Sequence, residues 1–554
     1  MMANQNTDTR SALDSPAFSR RRLTKAGALA ALTPVAAGLG AGAALAQEAS
    51  PVADEPAAPG APGEVTPERV AEVVAQAPEL AASMLDRTGV PGMAVAIVHD
   101  DAVVYEGYFG VRELGNEVAV DAETIFLLAS VSKPLAATVV SAVVGDGDIT
   151  WDTTMADLAP GFTLHDAWTT QHVTLADLFA HRAGLRDHAG DVLEDLGFQR
   201  EDILARLRYL EPAYPFRAGY AYGNFGLTAA AVAVATSQST TWEDLCQTRL
   251  YEPLGMSRSS ARLADFLAAP NHATPHVQDG DAWVVAPMQR DPDPQSPAGG
   301  MSATAPDLAQ WVRLQLGQGA YDGEQLIPTA ALDPMHRPQA VSSIPQDIAN
   351  QRTGFYGLGL NISFTDFGAV QWGHSGAFAL GAATSVFMLP GSGFGVLVLT
   401  NGAPVGVPEA LGISVLELAT TGAISRDWLE FAGGFFAAAE EAERYSVVRD
   451  WSTPPANAAP PLPDEAYTGA FGNDYYGAVE IAAGADGLVM RIGPVAREFT
   501  LEPWDRDTFS WQPVGENALG RSAISFLIGP EGTATGFSDE YLTKHGPGLL
   551  SRLA

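Results

Sequence analysis

Apolar residues recur at three- and four-residue spacing through PERVAEVVAQAPELAASMLDRT (residues 67–88), which predicts an amphipathic helix capped by Thr66, with Pro67 in its first turn. The period then shortens. MAVAIVHD and AVVYEGYFG, joined at Asp100-Asp101, predict a β-hairpin. From about residue 125 to 330, apolar helical stretches alternate with Pro- and Gly-rich loops, the pattern of a helical region inserted between sheet segments. Strands return at GAVQWGHSG, ATSVFMLP and FGVLVLTN, the last two linked by Pro390-Gly391-Ser392-Gly393, and VPEALGISVLELATTG follows as a helix. A sheet drawn from both ends of one region and closed by helices implies an α/β sandwich, an antiparallel sheet flanked by helices, with a helical lobe beside it. Clefts between such lobes take ligands.

The pattern changes near residue 445. A Pro-rich connector (446–463) leads into short alternating runs, YTGAFGND, YGAVEIAAG, LVMRIG, REFTLEPW, DTFSWQP and AISFLIG, which predict a small antiparallel β-barrel over 464–554. At the other end, Ser19-Arg20-Arg21-Arg22-Leu23-Thr24-Lys25 precedes a mild apolar run and the small-residue sequence Ala44-Leu45-Ala46. This resembles a twin-arginine signal peptide over 1–46, and its many Gly and Ala residues weigh against a retained anchor. Residues 47–66 have the Pro/Ala-rich composition of a tether. The large domain is therefore expected over 67–445. No later stretch is long and apolar enough to span a bilayer, so the expectation is an exported, extracytoplasmic chain without stable membrane insertion once the signal is cleaved.

Composition narrows the chemistry. A chain of 554 residues is too long for one core. Its net charge of -34 repels phosphate backbones and anionic lipids, which argues against nucleic acid as a partner. The single cysteine, Cys246, lies in a segment (TWEDLCQTRL) that reads as an amphipathic helix, so it is expected as a buried structural thiol with no intrachain disulfide. Lysine is scarce, with only Lys25, Lys133 and Lys544 against many arginines.

That scarcity gives weight to Ser130-Val131-Ser132-Lys133, at the start of an apolar helical run. One helical turn brings the lysine amine near the serine hydroxyl, and a desolvated lysine can lose its charge and act as a base where arginine cannot. Tyr222-Gly223-Asn224 opens another apolar helix and supplies a phenol for proton transfer and an amide for a substrate carbonyl. His374-Ser375-Gly376 lies on a candidate strand, where glycine admits a substrate backbone and the Ala377 amide is able to pair with that of Ser130 as an oxyanion hole. For metal, the nearest approaches are His272 with His276 and His181 with Asp187 and His188. The first pair sits in a Pro/Asn loop and no His-Glu-x-x-His occurs, so neither a metal nor another cofactor is expected.

Taken in chain order, these three groups resemble the family that contains class C β-lactamases, D,D-carboxypeptidases, D-aminopeptidases and β-lactamase-like esterases. The similarity spans roughly residues 70–425 and extends to VTLADLFAHRAGL, YEPLGM and PAGGMSATAPDLAQW. It implies Ser130 as nucleophile, Lys133 and Tyr222 as sharers of the acid and base roles, and Asn224, His374, Gly376 and Ala377 as substrate-binding residues for a small-molecule or peptide substrate. Which of Lys133 and Tyr222 takes the serine proton stays open, and so does the oligomeric state. Two positions depart from the family pattern. His374 replaces the usual lysine, exchanging a permanent cation for a group expected to titrate near neutral pH, and Ala218-Gly219 replaces Pro-Gly. The first departure favours peptidase or esterase chemistry over β-lactam hydrolysis; a penicillin sensor that acylates without turnover is the rival of another class. The C-terminal barrel resembles the lipocalin-like appendage of some peptidase and esterase members.

Overall fold

The computed structural model describes residues 65–345, 352–365, 368–445, 449, 451–485, 487–518 and 520–554. The signal expected over 1–46, and the linker up to residue 64, lie outside them. In chain order the elements used below begin with α1 (Pro67–Thr88), β1 (Gly92–His99), β2 (Ala102–Glu113) and β3 (Asn116–Ala119). There follow α2 (Ser132–Asp146), α3 (Asp191–Asp195), α4 (Phe225–Ser237), β4 (Ala340–Ser343), β5 (Gly354–Tyr356) and β6 (Asn361–Phe364). The large domain ends with β7 (Val370–Phe378), β8 (Ala382–Leu389), β9 (Phe394–Thr400), α5 (Val407–Thr421) and α6 (Trp428–Tyr445).

Local signals and structure agree at the start of the chain. The Thr66 hydroxyl accepts from the Arg69 amide at 3.4 Å, and Pro67 occupies the first turn of α1. Asp100 and Asp101 both take positive φ (49° and 62°), the backbone a two-residue hairpin turn requires. The nine strands pair antiparallel in the order β4-β5-β6-β7-β8-β9-β1-β2-β3, so the N-terminal hairpin and the C-terminal strands of the domain share one sheet. Strands β1, β8 and β9 are buried on both faces, which is why they read as continuous apolar runs. Successive residues serve opposite cores. Val95 and Ile97 pack with α1, α5 and α6, whereas Ala94, Ala96 and Val98 join the core built around α2 and α4. Each fully buried Val, Ile or Leu stabilises this arrangement by about 1.5–3 kcal/mol. The segment around Cys246 differs from a single regular helix. A short α-helix (Trp242–Cys246) widens into a π turn (Gln247–Tyr251), and the thiol is free and buried.

The C-terminal barrel comprises β10 (Gly469–Asn473), β11 (Gly477–Gly484), β12 (Gly487–Ile492), β13 (Arg497–Thr500), β14 (Glu502–Asp505), β15 (Thr508–Trp511), β16 (Ser522–Ile528), β17 (Ala534–Asp539), α7 (Glu540–His545) and β18 (Leu549–Arg552). Its order is β13-β12-β11-β10-β18-β17-β16-β15-β14, two meanders joined where the first and last strands pair. The open edges belong to β13 and β14, which adjoin in sequence, so the sheet nearly closes on itself. Phe471, Met490, Trp511, Phe526 and Phe537 fill the interior. Among the described residues no helix is long and apolar enough to cross a membrane.

Candidate active site

Ser130 sits two residues before α2, in a 3-10 turn (Ala129–Val131) entered through Ala129 at φ 46°. A non-glycine residue in the left-handed region is strained, and such strain is kept only where the surroundings over-determine it. Here Ala129 is fully buried and Val131 N donates to Leu128 O. Lys133 follows in the first turn of α2. Its Nζ lies 3.2 Å from Ser130 Oγ, 2.6 Å from Asn224 Oδ1 and 3.0 Å from Ala298 O. Complete burial pushes the amine down to about 7; Arg290 acts in the same direction, and Asp191 opposes both. Near neutral pH a large share of Lys133 is therefore uncharged. Of its three neighbours, the amide oxygen and the carbonyl only accept, so the lone pair of the neutral amine has Ser130 as its one donor.

Tyr222 and Asn224 reach this amine from the segment before α4. The segment is held by Ala221 N donating to His181 O and by His188 N donating to Tyr222 O. Lys133 Nζ stands over the Tyr222 ring, 4.6 Å from its centroid. Burial pushes the Tyr222 phenol well above its ordinary range, an effect that Ser130 partly opposes. Tyr222 is thus a phenol rather than a phenolate at neutral pH. Ala298 arrives on the short helix Ser296–Gly299, and the Met301 amide after it donates to Ser132 Oγ at 3.0 Å.

Strand β7 closes the group. β6 pairs with it only as far as Gly373, so, among the described residues, 374–378 pair with β8 alone and their other edge has no strand partner. Gly376 is required here by close approach: a Cβ would lie 2.4 Å from Leu128 O and 2.8 Å from Ser130 N. Ala377, 5% exposed, follows it. His374 departs from expectation. It is fully buried, with Nε2 3.0 Å from Tyr356 Oη and Nδ1 2.7 Å from Ser375 O, and burial, aided by Lys133, pushes it down to about 3. The near-neutral titration expected of it is therefore corrected to a neutral imidazole with both nitrogens engaged.

Several residues of the site carried no signal in the sequence. Asp191 Oδ2 accepts from Asn224 Nδ2 at 2.8 Å and lies 2.8 Å from His188 Nδ1. Arg290 pairs with Glu194 (2.9 Å) and with Glu516 of the barrel (3.2 Å). The Glu516 carboxylate also accepts from the amides of Ala379 and Leu380, just past the end of β7. These partners are scattered along the chain, and only folding makes them neighbours. His272 and His276 point to separate backbone partners. Each is tied to backbone, His272 Nδ1 at Ala269 O and His276 Nε2 at Leu114 N.

One guanidinium, Arg290, lies among three buried carboxylates, Glu194, Glu516 and Asp195. Burial pushes Glu194 up to about 8 and Glu516 up to about 7, and raises Asp195, while Arg290 opposes each shift. The folded state therefore binds more protons than the unfolded chain between the ordinary carboxylate range and about pH 8. The contribution of these three groups to stability is fully present below that window and falls as pH rises through it. By calorimetry Glu516→Gln is expected to gain Tm relative to wild type as pH rises from 5 to 8, because it removes a carboxylate whose ionisation is opposed by burial across that window; a Tm difference that does not change with pH would reject the assignment.

Residues 70–419 match the family described as "Beta-lactamase", and residues 453–545 a "Domain of unknown function (DUF3471)". Penicillin-binding protein 4 of Amycolatopsis lactamdurans is 32% identical over 325 residues, 56% of this chain and 81% of its own. Unguisins hydrolase ungD of Aspergillus violaceofuscus (strain CBS 115571) is 25% identical over 434 residues, 72% and 74% of the two chains. D-aminopeptidase of Brucella anthropi is 27% identical over 297 residues, 52% of each. An octameric penicillin-binding protein homologue from Pyrococcus abyssi shares the fold, with TM-score 0.53 and 17% identity over 86% of this chain and 99% of its own. The β-lactamase match runs from within α1 into the last turn of α5, more than half of the sequence, and takes in every residue of the Ser130 group: this chain belongs to the β-lactamase family.

Proposed function

We propose that the protein is an exported serine hydrolase that forms an acyl-enzyme on Ser130 from small esters, amides or D-amino-acid peptides. The observation that carries this reading is the buried Lys133 amine, lowered to about 7 and 3.2 Å from Ser130 Oγ. Lys133 takes the hydroxyl proton as the Ser130 Oγ–carbon bond forms. Tyr222, held protonated by burial, donates toward the leaving group. The amides of Ser130 and Ala377 receive the oxyanion, and Asn224 holds the substrate amide. Water then cleaves the acyl-enzyme.

The neutral, fully engaged His374 offers no cation to a substrate carboxylate, which favours peptidase or esterase chemistry over β-lactamase or D,D-carboxypeptidase activity. Export rests on the twin-arginine pattern of residues 19–25. The test is to incubate the mature protein with a short-chain nitrophenyl ester, a D-alanyl dipeptide, a chromogenic cephalosporin and a fluorescent penicillin, mapping any adduct by mass spectrometry. Turnover of ester or dipeptide through an adduct on Ser130 is the expected result. Stoichiometric penicillin labelling without turnover would make the protein a sensor, and rapid cephalosporin cleavage would make it a β-lactamase.

A further inference from the structure

The two ends of an amide side chain are nearly alike in shape, so something must decide which of them Asn224 turns to Lys133. Asp191 decides it. A carboxylate only accepts, so the Asn224 NH2 faces Asp191 Oδ2 at 2.8 Å, and Oδ1 is left for Lys133 Nζ at 2.6 Å. Were the amide reversed, its N–H would claim the lysine lone pair and Ser130 would lose its base.

Asp191 is the first residue of α3, a helix of five residues and too short to persist unaided. Its last residue, Asp195, is held by the barrel. The Asp195 carboxylate accepts from Glu516 N, Asn517 N and Asn517 Nδ2, each at 2.9 Å, and from Tyr541 Oη at 3.2 Å. Arg497 Nη1 donates to the Asp195 carbonyl at 2.6 Å, and Asn517 Nδ2 also reaches Asp191 O at 3.4 Å. Gly515, at φ 129°, lies so close that a Cβ there would come within 2.3 Å of Asp195 Cγ. The loop between β15 and β16 thus grips the helix whose other end addresses Asn224.

We propose that Asp191 is a positioning residue that fixes the Asn224 amide and so aims the Lys133 lone pair at Ser130, and that barrel residues 515–517 hold Asp191 in place through Asp195. This deepens the reading of Ser130 and Lys133 as nucleophile and base. It makes the barrel a working part of the site rather than an appendage.

Three lysines in the whole chain make the amine directly observable. Protein carrying carbon-13 at the lysine Cε is titrated by NMR, and Lys133 is assigned with Lys133→Met. Besides Asp191, the charged or titratable groups that bear on Lys133 are Arg290, Tyr222, His181 and His374. Asp191 raises the Lys133 pKa, so Asp191→Asn is expected to move its titration midpoint down; an unmoved midpoint overturns the role of Asp191. Asp191→Ala, which frees the amide to turn, is expected to lower kcat about a hundredfold with KM little changed. Asn517→Ala removes two barrel contacts, to the Asp195 carboxylate and to Asp191 O, and Tyr541→Phe removes one; neither touches Ser130, Lys133, Tyr222 or Asn224. Both are expected to shift the Lys133 resonance while circular dichroism stays native, and an unshifted resonance in both overturns the role of the barrel. If Asp191 variants fail to fold, these two still decide. Lys133 shifts as described in a protein that turns over no substrate would reject the enzymatic reading and leave the positioning intact.

Discussion

Ser130→Ala is expected to lower turnover roughly a million-fold, Lys133→Met about a thousand- to ten-thousand-fold, and the double variant no further than Ser130→Ala alone. Without its hydroxyl the site has no atom to acylate. Methionine fills the lysine's volume with an unbranched side chain but presents no proton acceptor to Ser130 Oγ, 3.2 Å away in the native site. The effects do not add, because base and nucleophile perform one step together. The pH profile carries the sharper test. Burial holds Lys133 at about 7, and only the neutral amine accepts a proton. Wild-type kcat/KM should therefore fall as pH drops through about 7. The residual rate of Lys133→Met should lack that acidic limb. A limb of unchanged position in Lys133→Met would assign the titration to another group and remove Lys133 from the role of base.

Features set by neighbouring residues were legible in the sequence. Thr66 and Pro67 announce α1, Asp100-Asp101 the first hairpin, and the three-residue step from Ser130 to Lys133 the contact between hydroxyl and amine. The resemblance extended this to Tyr222, Asn224 and Gly376, which the structure gathers around the same amine and serine. Features that depend on burial were not legible. His374 reads as a group titrating near neutral pH until Tyr356, from another strand, and the surrounding core remove its water. Asp191 stands in HAGDV, a string with the look of an ordinary loop, and only the fold shows that it faces Asn224. The Arg290, Glu194 and Glu516 cluster joins segments that share no local period. Long-range pairings of this kind have no sequence signature, which is why the barrel, though expected as a fold, gave no hint of its contacts near the site.

Gly376→Ala is expected to lower kcat/KM about a hundredfold or more and to destabilise the fold by about 1–3 kcal/mol. The added methyl would stand 2.4 Å from Leu128 O, 2.6 Å from Thr384 Oγ1 and 2.8 Å from Ser130 N. Thr384 is held in place by its hydroxyl, which donates to Leu128 O at 2.7 Å, and the other two atoms are backbone. Relief must come from moving β7 away from the 3-10 turn or from moving the turn itself. That turn is entered through Ala129 at φ 46°, a conformation that persists only while its surroundings enforce it. Moving the turn shifts Ser130 relative to Lys133, and moving β7 shifts Ala377 relative to Ser130. Gly391→Ala is the control, since a Cβ at that position meets nothing within 4 Å, and it is expected to leave rate and Tm unchanged. Steady-state kinetics and calorimetry on both variants decide the matter: equal activity in the two would show that contact between β7 and the serine turn does not govern the reacting geometry.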